Sequence, residues 1–338
     1  MLEVLLVAAI VVAVGFDFTN GFHDTANAIA TSISTRALTP RQAVLLSAVL
    51  NLTGALITVI FFQAKVSNTI AKILATKPAG EFGLVIVIAA LLGAIAWNLI
   101  TWYLGLPSSS THALIGGLVG AGIASAGGWS GVHWSQLGTI VIGLVTSPPA
   151  GFLAAAIFTS VLLVFVRSVR PSLLNRVFRI LQVPAAAFVS YSHGSNDAQK
   201  TMATITLALV ATGNLHKFQV PIWVVVLSAT AIAFGTYAGG WRIIRTLGWR
   251  IYKMDPVGGM SAQLMGATVI QVATQLGLPV STTHVVTGSV IGSGASRRIS
   301  ARGWGVGANI LVAWLVTIPA AGAISWVAFA IMHTAGLG

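Results

Sequence analysis

From Phe82 to Val166 the chain carries no Asp, Glu, Lys or Arg. An uncharged run of that length holds several spans of about 20 residues each, and its natural solvent is a bilayer. The whole chain is 56% hydrophobic and 7% charged, against about 25% charged in an ordinary soluble domain. Apolar segments run over 2–34, 42–62, 82–104, 106–126, 137–166, 180–212, 220–240, 257–276, 279–296 and 304–333. The fold class is therefore an all-α polytopic membrane protein, with about 10–12 transmembrane or re-entrant helical segments. The 36 glycines and 11 prolines among these runs predict helices that are broken or closely packed. Segments 2–34 and 137–166 exceed a span, so tilt or interruption is expected in both.

Five segments fall in each half. An odd number inverts the second half relative to the first, which predicts two inverted-topology repeats: residues 1–166, a short basic linker 167–182, and residues 183–338. Direct matches support the duplication. Gly105–Gly120 (GLPSSSTHALIGGLVG) and Gly277–Gly292 (GLPVSTTHVVTGSVIG) share eight of sixteen positions at an offset of 172. Asn20–Ala28 (NGFHDTANA) aligns with His193–Thr201 (HGSNDAQKT) at an offset of 173, and Thr146, Pro148 and Gly151 align with Thr317, Pro319 and Gly322 at 171.

The formal charge of +12 sits in short loops and not in one face or tail, so it reads as a topology signal and not as nucleic-acid binding. With the N-terminus outside, the inner loops carry thirteen basic residues: Arg36, Arg41, Arg167, Arg170, Arg176, Arg179, Arg242, Arg245, Arg250, Lys253, Arg297, Arg298 and Arg302. The outer loops carry four, namely Lys65, Lys72, Lys77 and Lys217. Both termini are predicted outside a cell membrane, in a bacterial-type inner or plasma membrane. Acidic Glu3 argues that the N-terminus starts a span and is not a signal peptide. No cysteine is present, which excludes disulfides and thiolate metal sites.

Asp17, Asp24 and Asp197 lie inside apolar segments, where a charge costs roughly 2.5–3.5 kcal/mol even on the gentler insertion scale. Such residues face a cavity or a partner, and Lys200, three residues after Asp197, is the obvious ion-pair partner. Asn20, His23, Thr25 and Asn27 surround Asp24; Ser192, His193, Asn196 and Gln199 surround Asp197. With Gly21 and Gly194 letting the backbone open, freed carbonyls plus carboxylate and amide oxygens predict a cation or proton site in a helix break, with Asp24 and Asp197 as candidate metal ligands. Asp17 is a further coupling candidate. Ser109, Ser110, Thr111 and Ser281, Thr282, Thr283 follow a proline at the start of a helical run, where unpaired N–H groups and the helix dipole suit a tetrahedral oxyanion; simple capping is the competing role. His112 and His284 at equivalent positions are candidate proton carriers. Asn51, Asn98, Gln263 and Gln271 line the cavity or bond helix to helix. No nucleotide-binding or metalloprotease motif occurs, so the chain does not read as an enzyme or a primary pump.

These paired motifs resemble the signatures of the inorganic phosphate transporter (PiT) family, over nearly the whole chain. The resemblance implies secondary transport of inorganic phosphate with a cation, through an inverted repeat whose broken elements meet at the substrate. It assigns Asp24, Asn27 and Asp197 to cation coupling and Ser109–Thr111 with Ser281–Thr283 to phosphate. His23 stands where many sodium-coupled members have asparagine, and GFHDTANA resembles the proton-coupled bacterial branch, whose substrate includes a metal–phosphate complex; Asn196 keeps sodium open. The reading is a proton-coupled phosphate symporter working by alternating access, in which carboxylate neutralisation admits the anion and Lys200 offsets charge. It has no bound cofactor; its partners are the co-transported proton (or sodium), a divalent metal carried with phosphate, and the lipid bilayer, with a homo-oligomer left open. Alternatives are sodium coupling, a sulfate permease of the same fold, a passive anion channel, and a structural or receptor-like membrane protein.

Overall fold

The computed structural model describes residues 1–75, 79–250, 254–296 and 301–337, with the backbone alone for 249, 250 and 301–309. Of the basic residues used for orientation, Lys77, Lys253, Arg297 and Arg298, and the side chains of Arg250 and Arg302, lie outside the described residues. The described residues form helices in the order α1 (Leu2–Ser34), α2 (Pro40–Phe62), α3 (Lys65–Ala71), α4 (Gly80–Leu104), α5 (Ser110–Ser125), α6 (Trp134–Val166), α7 (Pro171–Ala211), α8 (Ile222–Ala238), α9 (Trp241–Arg245), α10 (Pro256–Gln275), α11 (Thr282–Ala295) and α12 (Ala301–Thr334).

Five of these are long and apolar enough to cross a membrane on length and composition: α1, α2, α4, α6 and the Ile310–Thr334 part of α12. Residues Ile222–Ala238 and Trp241–Gly248 form a sixth candidate, bent by 58°. α5 and α11, at 16 and 14 residues, reach only about 24 and 21 Å, less than the roughly 30 Å hydrocarbon layer. They are half-helices enclosed by longer ones. Large apolar side chains such as Val4, Val7, Val11 and Phe61 face outward, as lipid requires, while α1 from His23 to Ile33 and α7 from Ser192 to Leu209 are buried on every side.

The two halves interlock reciprocally. α1 packs against α4 and α8, and α7 against α10 and α2; α5 packs against α4 and α12, and α11 against α10 and α6. Each half-helix thus rests against the last long helix of the other half. The shared glycines of the GLPxSxTH stretches explain this contact. Gly105 and Gly277 take φ of +67° and +74°, where a side chain is disfavoured. Gly116 and Gly120 lie against the carbonyls of Ile318 and Gly322 on α12, and Gly288 and Gly292 against those of Pro148 and Phe152 on α6. Glycines four apart let helix backbones approach closely in a membrane.

Three expectations are corrected. α1 and α7 run through the Gly21 and Gly194 regions without a break, so no backbone carbonyls are freed there. The two glycines serve close approach instead: a Cβ on Gly21 would collide with the carbonyl of Ile232, and one on Gly194 with that of Asn51. Of the tilt or interruption expected in segments 2–34 and 137–166, the interruption is absent, α6 continuing through Pro148 and Pro149. Finally, most of the basic stretch 167–182 is helical, Pro171 being the first residue of the 41-residue α7.

Because the neighbour of Gly194 is backbone and cannot rotate away, Gly194→Ala is expected to lose at least the roughly 1–3 kcal/mol of an overpacked core. Thermal unfolding and monodispersity of the purified protein in detergent check this, with Gly15→Ala, which meets no atom within 4 Å, as the neutral comparison.

Candidate functional site

α1 and α7 cross at the centre, and the N-termini of α5 and α11 point at the crossing. Asp24 on α1 and Asp197 on α7 are fully buried. Ser110 Oγ, in the first turn of α5, donates to Asp24 Oδ2 at 2.9 Å, and Thr283 Oγ1, in the first turn of α11, donates to Asp24 Oδ1 at 3.2 Å. Thr282 Oγ1 lies 3.4 Å from Asp197 Oδ2. Lys200 Nζ, itself wholly buried, donates to Asp197 Oδ2 at 2.8 Å and to Ser110 Oγ and Thr111 Oγ1 at 3.0 Å each. Ser110 therefore accepts from the ammonium and donates to the opposite carboxylate, so one hydroxyl links the charges of both halves. Thr111 Oγ1 donates a hydrogen bond to the carbonyl of Val280 at 2.9 Å, joining the two half-helix starts.

Around this core, His23 Nδ1 lies 2.7 Å from Asp24 Oδ1, and its Nε2 lies 3.2 and 3.3 Å from the hydroxyls of Thr101 and Ser108. His193 Nε2 sits 3.2 Å from Asp197 Oδ2 and 4.0 Å from Asp24 Oδ2. Its Nδ1 contacts Asn51 Oδ1 at 2.9 Å, and Asn51 in turn donates to Thr236 at 2.7 Å. Asn27 Nδ2 donates to Thr283 Oγ1 at 2.9 Å.

The three hydroxyls of each GLPxSxTH cluster divide their work. Ser109 and Ser281 are N-caps, accepting from the backbone N–H of His112 and His284 at 3.1 Å each. They play the capping role, while Ser110, Thr111, Thr282 and Thr283 face the carboxylates and the lysine. Two converging helix N-termini, hydroxyl donors and an ammonium are groups that can hold an oxyanion, and they enclose two buried carboxylates, of which Asp197 already has the Lys200 ammonium as its counter-ion.

Residues 20–173 and 167–325 match the phosphate transporter family. The chain belongs to this family. It is 44% identical over 335 residues, 98% of both chains, to a probable low-affinity inorganic phosphate transporter of Bacillus subtilis. It is 47% identical over 323 residues, 95% of this chain and 94% of the other, to a protein of the same description from Rhizobium meliloti. A solved structure described as the sodium-dependent phosphate transporter superposes with a TM-score of 0.87 at 26% identity, covering 98% of this chain and 99% of that one.

Within the transporter, the remaining candidates sort by position. Asp17 and Asn20 are buried on α1, Asn20 and Thr201 flanking the Asp17 carboxylate without closing a hydrogen bond of ordinary geometry. His112 and His284 pack ring to ring at 4.4 Å behind the half-helix starts, and His284 stacks on Trp314 at 3.8 Å. Asn196 turns away from Asp24 and donates to Thr274 at 2.8 Å on α10. Gln263 ties α10 to α1 through the carbonyl of Ala28 at 2.7 Å and Ser32 at 2.9 Å; Gln271 accepts from Ser195 at 3.1 Å. Asn98 is buried with no partner among the described residues.

Asp24, His193 and Asp197 also offer three ligand atoms within 4.8 Å of one another. A divalent ion there would compete with the Lys200 ammonium for Asp197 Oδ2, so as arranged the trio suits an ion-pair network better than a metal. Thr101 and Ser108 escaped notice in the sequence, although Ser108 lies inside the repeated stretch and Thr101 just ahead of it; Trp314, one of the tryptophans near segment ends that read as an interfacial belt, stacks on His284 instead.

Ser281→Ala is expected to cost about 1 kcal/mol through loss of the cap. Asp197→Asn, which leaves an ammonium buried without its counter-ion, should cost about 3–5 kcal/mol. Unfolding of both variants in detergent checks the order.

Proposed function

We propose that the chain is a secondary symporter that moves inorganic phosphate across the cell membrane together with protons, by alternating access of two inverted repeats around the Asp24–Asp197 centre. The observation that carries this reading is that Ser110 and Thr283 donate to Asp24. A hydroxyl has one proton to donate, so a donor held by a carboxylate is withheld from an anion. Neutralising Asp24 frees both hydroxyls for phosphate oxygens and removes the repulsion between carboxylate and anion. Cation and anion then enter together, which is symport.

Protons are favoured over sodium by the His23 chain. His23 Nδ1 touches Asp24 while Nε2 reaches two hydroxyls, a relay that can deliver a proton to the carboxylate. Phosphate is favoured over sulfate because it keeps an O–H at neutral pH, which can donate a hydrogen bond to the carbonyl oxygen of a protonated Asp24, whereas sulfate has none to donate. A cavity of about 550 Å³ at the end of α1, lined in part by Arg36 and Arg179, supplies a basic vestibule on the side that the loop charges put inside. The reciprocal packing of half-helices against the opposite half supports rocking of one repeat against the other.

Sodium coupling is the second reading. It is favoured by the sodium-dependent structural relative and by Asn27 Oδ1 and Asn20 Oδ1, buried amide oxygens without hydrogen-bond partners among the described residues.

Reconstituted liposomes with labelled phosphate test both. An inward proton gradient is expected to drive accumulation and a sodium gradient alone is not; the reverse supports sodium, and flux indifferent to both gradients supports a channel. Asp24→Asn should abolish accumulation, by at least about a hundredfold for a required proton carrier, in protein that still purifies as a folded species. Normal accumulation by that variant overturns the coupling role.

A further inference from the structure

The two copies of the central motif are not chemically equal. At the offset of 173 that aligns Asp24 with Asp197, Asn27 aligns with Lys200. Their hydrogen bonds are mirror images: Asn27 Nδ2 donates to Thr283 on α11 at 2.9 Å, and Lys200 Nζ donates to Thr111 on α5 at 3.0 Å, Thr111 and Thr283 being equivalent in the GLPxSxTH repeat. Beyond this shared contact the copies diverge. In the first, Asn27 makes no bond to Asp24, and Asn27 Oδ1 is buried with no partner among the described residues. Asp24, Asn27 and Thr283 thus gather oxygen atoms as a hard monovalent cation or a proton would need. In the second copy the ammonium of Lys200 lies 2.8 Å from the carboxylate.

We infer that Lys200 is a tethered cation: its ammonium fills, in the second repeat, the place that a mobile cation or proton takes beside Asp24 in the first. Asp197 is then neutralised permanently and Asp24 once per cycle. The inference rests on the symport reading and sharpens it, because it fixes how many mobile charges the cycle uses. A chain with asparagine at both positions would need one more mobile cation than this one. Lys200 is also bound to Ser110 and Thr111, so its charge stands at the anion site as well and favours phosphate without being carried across.

The test is Lys200→Asn, which gives the second repeat the residue of the first, compared with the parent in liposomes containing either sodium chloride or choline chloride. Phosphate uptake by the variant should fall by at least about tenfold where the added co-ion, sodium or proton, is scarce, and raising that ion should restore it. The positive charge moved per phosphate, read from the reversal potential, should rise by one relative to the parent, whichever ion serves Asp24. Variant uptake at the parental rate with both ions scarce, or unchanged charge per phosphate, overturns the inference. If the parent itself accumulates no phosphate, the symport reading fails. The inference is then judged by unfolding in detergent, where sodium over choline should raise the midpoint of Lys200→Asn more than that of the parent, and equal shifts reject it. A further variant guards against loss of fold. Lys200→Met alone should be markedly destabilised, whereas Asp197→Asn with Lys200→Met, which removes anion and cation together, should unfold near the parental temperature. A double variant as unstable as the single one shows that Lys200 does not serve to neutralise Asp197.

Discussion

The ion pair between Lys200 and Asp197 is the interaction on which the centre of this protein depends. Both groups are wholly buried in a structure whose outer face is apolar. Separating either from the other would strand a charge at a cost of about 3–5 kcal/mol. The pair is tolerable because further hydroxyls complete it. Ser110 and Thr111 accept from the ammonium, and Ser110 in turn donates a hydrogen bond to Asp24. That demands helix starts from both halves within a hydrogen bond of the α1–α7 crossing, and the interlocked packing follows. α5 and α11 are short because they must end at the centre. The glycines on their outer faces let them lie close against α12 and α6.

The sequence made much of this legible because duplication doubles the signal. The uncharged runs gave helix positions to within a few residues at most ends, and equivalence at one offset picked out Asp24 with Asp197 and the two hydroxyl clusters. What remained hidden was of two kinds. Glycine in a polar patch has two physical meanings, a break or a close crossing, and only three dimensions show that the Gly21 and Gly194 regions are crossings. Long-range partners were also invisible: nothing near His23 announces Thr101, 78 positions away, and nothing near His284 announces Trp314. Asn196 has the right neighbours for a cation site, yet its position on the helix turns its amide toward α10. Whether a side chain two or three residues from a key carboxylate shares its site depends on the phase of the helix, which sequence symmetry cannot reveal when both faces are buried.

Coupling in such a centre needs no large apparatus. On the proposed symport the same few hydroxyls serve carboxylate and anion, and each can donate to one acceptor at a time. Occupancy of the cation position and occupancy of the anion position are therefore linked through shared donors as well as through charge. Helix dipoles at the starts of α5 and α11 favour an anion throughout, so on the proposed symport the step that a mobile cation would control is the release of Ser110 and Thr283. His23 is well placed to set that step, held on its far side by Thr101 and Ser108.

The asymmetry between the halves gives this linkage a direction. On the proposed cycle, if both carboxylates required mobile partners, the empty carrier would return with two uncompensated anions among helices that exclude water. With Lys200 fixed on Asp197, that return would keep one neutral pair, and its cost would fall chiefly on Asp24. Asp24 has His23 beside it, but Asp17 has no equivalent in the second half, where Ser190 stands at the matching offset and bonds Ser47 at 3.0 Å. A second copy of Asp17 would place another buried carboxyl in a half whose single buried ammonium is already committed to Asp197. Ser190 at the position of that acid, and Lys200 at the position of Asn27, both fit the proposed cycle, in which the second half carries its own charge compensation and the first would obtain it from solution.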